Sequence, residues 1–144
     1  MKIISHRGNL EGISEYENSP EQIEKALSHD IDCEIDLWVK QNRLYLGHDS
    51  PTVITNNDFI KTPGLWIHAK NLEAVEWLSK TNLHWFWHEE DKLTITSKGT
   101  IWCYPNVYVK GGITVIKNID NLNPDIKLLC KGICTDYPLK AKLL

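Results

Sequence analysis

The chain has 144 residues, 42% of them apolar and 24% charged, with a net charge of -3 at pH 7. That length predicts one domain spanning 1–144, with the composition of an ordinary globular protein. The slight acidity gives no electrostatic case for nucleic acid or an anionic membrane, and no apolar run reaches the ~18 residues of a membrane span. The opening residues do not read as a signal peptide, so cytoplasm is the expected compartment. Cys33, Cys103, Cys130 and Cys134 lack C-x-x-C spacing and sit in or beside apolar runs, which predicts free, mostly buried thiols.

In chain order, residues 2–5 predict a short buried strand that opens into the loop Gly8–Gly12. Ser19 as cap, Pro20 at the first helical position and Gln22 as capping-box partner predict a helix to about residue 29, with Ile23, Ala26 and Leu27 on its apolar stripe. His29 ends that helix, where an imidazole suits the dipole. A strand over 31–39 follows, with Cys33, Ile35 and Leu37 on one face and Asp32, Glu34 and Asp36 on the other. A turn at 41–43 predicts a hairpin return through Leu44–His48. Residues 50–64 read as loop with one helical turn.

Leu65–Ala69 predicts a strand, and Asn71 caps a helix to about Lys80 with Leu72, Val75 and Leu78 on one face. Further extended segments are expected at 83–87, 93–96, 100–104 and 113–116, with apolar runs between 127 and 135 divided by Lys131-Gly132. No long helix is expected after Lys80. The β-α-β alternation predicts an α/β fold with a largely parallel sheet. Polar residues gathered at strand ends suit a barrel with its site at the carboxyl-terminal face. At this length, that means a contracted TIM-type (β/α) barrel with several outer helices missing from its C-terminal half. The uncovered strand surface predicts a homodimer.

The polar blocks carry the chemistry. Glu34 and Asp36, two apart on one strand, form an oxygen-ligand pair suited to Mg2+ or Ca2+, or else an exposed acidic face. His6 and His48, each at a strand end, suit acid–base work near neutral pH. Arg7 suits bidentate contact with a phosphate. His88, in the polar run His88–Asp91, is a candidate for the site rim, although a solvated turn is the simpler account of that run. His84 has no assigned role. Trp87 and Trp102 are the tryptophans placed to touch a substrate.

His6-Arg7-Gly8, Glu17-Asn18-Ser19, Glu34-Ile35-Asp36 and Gly47-His48-Asp49 together resemble the ordered signature of the glycerophosphodiester phosphodiesterase family. That signature runs H-R-G, then P-E-N-T before a helix, E-x-D on the second strand, then H-D. Gly132–Pro138 is similar to the family's closing strand, G-x-x-T-D-x-P. The resemblance implies a phosphoric diester hydrolase acting on a small phosphodiester. His6 and His48 would be the acid–base pair, Arg7 and Lys70 the phosphate contacts, and Glu34 and Asp36 metal ligands. Where the family strand reads I-E-x-K, this chain has His68 in place of the ligand Glu and keeps Lys70. The implied cofactor is a divalent metal, Mg2+ or Ca2+, with Mn2+ or Zn2+ admitted by His68. Glu17-Asn18 would shape the first loop, with Glu17 a further candidate for the site rim. Two alternatives stay open: a non-catalytic phosphate-ester-binding module on the same fold, and a Zn2+ or Mn2+ hydrolase of another substrate class.

Overall fold

A computed structural model describes residues 1–143 as a mixed α/β fold. The first half contains β1 (Lys2–His6), α1 (Pro20–Ser28), β2 (Asp32–Lys40), β3 (Arg43–Leu46), β4 (Val53–Thr55), α2 (Asn57–Ile60), β5 (Leu65–Ala69) and α3 (Leu72–Ser79). The second contains β6 (Trp85–Phe86), β7 (Leu93–Ile95), β8 (Ile101–Cys103), β9 (Ile113–Ile116), α4 (Ile126–Leu129), β10 (Gly132–Thr135) and α5 (Pro138–Ala141).

Among the described residues the strands form one ten-stranded sheet. Its parallel series runs β6-β5-β2-β1-β10-β9-β8, while β3, β4 and β7 attach antiparallel. No ladder joins β6 to β8 among these residues, so the sheet is not closed. The chain just past β7 does reach β6, where the Ser97 N–H donates to the Trp85 carbonyl at 2.8 Å.

β2 is the hub because its nine residues serve three neighbours. Residues 32–34 pair with β1, 33–37 with β5, and 37–40 with β3. Its alternation separates two environments. Cys33, Ile35, Leu37 and Val39 pack with Ile23 of α1 and with Ala74 and Leu78 of α3 in the outer core. On the other face, Ile4, Trp66, Phe86, Trp102, Ile113 and Cys134 form a second core, one residue from each of six parallel strands. Two residues further along those strands come His6, His68, His88, Tyr104, Val115 and Asp136. The site is thus the next layer above an apolar floor. Two residues the other way, Lys2 pairs with Asp32 at 2.6 Å, and Asp32 also accepts from Trp66 Nε1 at 2.8 Å.

The caps act locally as their chemistry requires. Ser19 Oγ accepts from the Gln22 N–H at 3.3 Å, but the Ser19 N–H goes to the Tyr16 carbonyl, so only one arm of the capping box forms. Asn71 caps α3 through the Ala74 N–H and also exchanges bonds with the Val39 N–H and carbonyl, tying the helix to β2. Gly132 permits close strand approach: a Cβ there would lie 2.5 Å from the Lys2 carbonyl oxygen.

Several expectations change. β4 occupies part of the segment read as loop, and the strand expected over 83–87 shrinks to Trp85–Phe86. The first apolar run after Asp125 folds as α4, and α5 follows β10. Both helices have four residues, too few to display a 3.6-residue period. All four cysteines are free and buried. Leu93 and Ile95 on β7 and Ile54 on β4 are exposed. Among the described residues no helix is long and apolar enough to cross a membrane.

Candidate functional site

Glu34 and Asp36 stand on the inner face of β2 and are almost wholly buried. Buried carboxylates need compensating charge or hydrogen bonds. Asp36 has both. Asn18, in a left-handed conformation at φ 60, donates from Nδ2 to Asp36 Oδ2 at 2.9 Å and accepts from the Asp36 N–H at 2.9 Å. Arg7 Nε lies 3.1 Å from Asp36 Oδ2, and Lys70 Nζ lies 3.7 Å from Oδ1. Burial alone would raise the Asp36 pKa, but His68, Arg7 and Lys70 outweigh it and hold it well below the usual carboxylate range. Glu34 lacks that support: burial, and then the Asp36 charge, push its pKa up.

His68, the next partner, projects from β5. Its Nε2 lies 2.8 Å from the His88 carbonyl, which only accepts, so Nε2 carries the proton. Nδ1 then faces Asp36 Oδ1 at 3.2 Å and Glu34 Oε1 at 3.8 Å. The ring is stacked on Phe86 at a centroid distance of 5.0 Å. Buried Glu34 Oε2 and Asp36 Oδ1 have no hydrogen-bond partner. One donor atom each from Glu34, Asp36 and His68 lies within 4.8 Å of the others. Two buried carboxylates, orphaned oxygens and an imidazole nitrogen fixed by a backbone carbonyl are a donor set that fits a divalent cation.

His6 flanks this cluster at the end of β1. Its Nδ1 lies 2.8 Å from Asp136 Oδ1, and its Nε2 lies 4.0 Å from Glu34 Oε2. With the Nδ1–H donated to Asp136, Nε2 is the nitrogen left for chemistry. Burial lowers the His6 pKa, but the Asp136 bond and the Glu34 charge outweigh it, so the net shift is upward. Burial would raise the Asp136 pKa, but the His6 bond and charge, the Asn9 bond and the Arg7 charge together outweigh it, so Asp136 shifts downward. Asn9 Nδ2 braces the pair, donating to Asp136 Oδ1 at 2.8 Å and to Glu17 Oε1 at 2.7 Å. Glu17 in turn accepts from Arg7 at 3.1 Å. A second cluster, His6, Glu17 and Asp136, has its donors spent on these bonds.

These groups share one cavity of about 450 Å3, lined by His6, Arg7, Glu34, His68 and Lys70 on one side. Across it stand Trp87, His88, Trp102, Tyr104, Pro105 and Val115. His48 reaches the same cavity from the turn after β3. Gly47 makes that turn, since a Cβ there would collide with the Ser50 carbonyl, and Trp38 Nε1 donates to the Gly47 carbonyl at 2.7 Å. The His48 side chain is 43% exposed and is held by Asp49 at 2.7 Å, a rim position unlike the buried one of His6. Neither ring nitrogen of His88 has a partner, and burial, then the His68 charge, lowers its pKa.

Comparison with protein families, curated proteins and solved structures finds no match to this chain. Its chemistry is read from its own residues.

The structure brings His6, Arg7, Glu34, Asp36, His48, His68, Lys70 and His88 to one cavity or its wall. Glu17 does not line the cavity. It stands behind Arg7 and Asn9, bonded to both. Sequence reasoning gives no role to Asn9, takes Asn18 only as shaping the first loop, and reaches Asp136 only through the closing-strand pattern. Asp136 carries a usable signal, an acidic residue directly after an apolar strand. Asn9 and Asn18 lie in a loop whose contacts no periodicity reveals.

Proposed function

We propose that the protein is a metal-dependent phosphodiesterase that cleaves a small phosphodiester of glycerophosphodiester type, by hydrolysis or by cyclisation. One observation carries the reading: Glu34, Asp36 and His68 converge beside His6, Arg7 and Lys70 at a single cavity. The seven-strand parallel series, with the site at its strand ends, supports a contracted TIM-type barrel. It also agrees with the resemblance drawn from the motifs.

Glu34, Asp36 and His68 would hold the ion. When bound, the metal polarises the phosphate and offsets its developing charge. The imidazole in the donor set moves selection from Mg2+ or Ca2+ toward Mn2+ or Zn2+. Arg7 and Lys70 share the phosphate charge and orient it. His6, with Nδ1 fixed on Asp136, exchanges a proton at Nε2. His48 is the second member of the pair. One takes the proton of the attacking water or substrate hydroxyl, and the other protonates the leaving alkoxide.

A second reading, a non-catalytic phosphate-ester-binding module, is favoured by the exposed seat of His48. Assay of chelator-stripped protein against glycerophosphodiesters, with Mg2+, Ca2+, Mn2+ and Zn2+ added singly, separates the two. Metal-dependent turnover lost in His6→Ala supports the enzyme. Phosphate-ester binding by calorimetry without turnover supports the module.

A further inference from the structure

The two sides of the cavity differ in chemistry. Of the groups suited to a phosphate or a metal, Arg7, Glu34, His68 and Lys70 lie buried or partly buried on the β1, β2 and β5 side. The facing wall, built from the ends of β6, β8 and β9, presents Trp102, Tyr104, Pro105 and Val115, with His88 as its imidazole, while Trp87 borders the cavity but packs against the outer core. That wall is ordered by ring contacts. Trp102 stacks on Phe86 at 4.6 Å, and His88 meets Tyr104 edge-on at 5.7 Å and 62°. The polar side chains Glu89 and Lys117 are exposed and belong to the rim.

A phosphodiester carries two arms. A glycerol arm against this wall would bring several hydroxyls to a surface whose side-chain polar atoms are only those of His88, Tyr104 and the Trp102 indole N–H. A flat ring would bury its faces against Trp102 and Tyr104 in offset or edge-on contact. His88 supplies an unpartnered imidazole there, able to meet one polar atom on such a ring. About 450 Å3 is room for more than a phosphate and a three-carbon polyol, and falls within the ~300–1,000 Å3 common to small-molecule sites.

We infer that one of the two arms of the phosphodiester is an aryl or heteroaryl group, seated on the wall formed by His88, Trp102 and Tyr104, with any glycerol arm lying away from that wall. This rests on the phosphodiesterase reading and narrows its substrate class. The wall acts on specificity rather than on the bond cleaved, so binding of product-like monoesters reads it without turnover.

The test is calorimetry on the full, metal-loaded chain with inorganic phosphate, glycerol 3-phosphate, hexyl phosphate and phenyl phosphate. Phenyl phosphate is expected to bind about tenfold or more tighter than glycerol 3-phosphate, from the apolar area that it alone buries. Tyr104→Ala should reduce that ratio to within about threefold and leave the affinity for inorganic phosphate unchanged. Tyr104 is 44% exposed, so its truncation spares the fold. Equal affinity for phenyl and glyceryl esters in the unaltered protein would overturn the inference. So would hexyl phosphate binding as tightly as phenyl phosphate, which would assign the wall to an alkyl arm. Failure of inorganic phosphate itself to bind would instead overturn the phosphodiesterase reading, and this inference with it.

Discussion

Asp136 illustrates how one residue sets the behaviour of another. Its carboxylate fixes the His6 tautomer and raises the His6 pKa. Asp136→Asn should therefore lower the apparent pKa of the His6 limb in the pH–rate profile, whereas a merely structural role would lower activity without moving that limb. The same pair links to stability. Asp136, depressed from 3.8, stabilises the fold above that value, and its contribution is lost as pH falls through the folded pKa. His6, raised from 6.5, contributes fully below that value and loses its contribution as pH rises through the folded pKa. In chelator-stripped protein, urea unfolding should show Asp136→Asn costing most between about pH 4 and 6.5, and less at pH 9. A constant difference across that range would contradict the linkage. His68 carries a separate prediction: His68→Glu makes an all-carboxylate donor set. Competition calorimetry should then show preference moving from Mn2+ or Zn2+ toward Mg2+ or Ca2+.

At the scale of elements, the first half is legible in the sequence because its signals are local. Ser19-Pro20 and Asn71 mark helix starts, and the alternation of residues along β2 by itself separates Glu34 and Asp36 from the outer core. The second half resists because β6 has two residues and α4 and α5 four each, so neither period has room to show. The same division runs through the site. His6, Arg7, Glu34 and Asp36 can be found by the rule that polar residues cluster at strand ends. The His6–Asp136 pair, 130 residues apart in sequence, depends on β1 and β10 lying side by side, which no local pattern states. Asn71 shows how a cap also serves the sheet, since it bonds both backbone groups of Val39 on β2. Asn71→Ala should cost about 1–2 kcal/mol in chemical denaturation, more than an isolated cap and with the cavity residues untouched.

Across the whole molecule, one arrangement accounts for the site. Six parallel strands each place an apolar residue in a shared floor, and the next inward position on each reaches the site layer. A short chain thereby gathers Glu34, Asp36 and His68, the cations Arg7 and Lys70, and an aromatic wall at one cavity with few covering helices. The claim at the centre is that Glu34, Asp36 and His68 hold an ion on which phosphodiester cleavage by His6 depends. Its most direct test is hydrolysis of bis(p-nitrophenyl) phosphate by chelator-stripped protein titrated with Mn2+. The account predicts no turnover without metal, saturation near one equivalent, and a loss of about 10²–10⁴-fold in kcat for His6→Ala. Undiminished turnover by the stripped protein, or by His6→Ala, would contradict it.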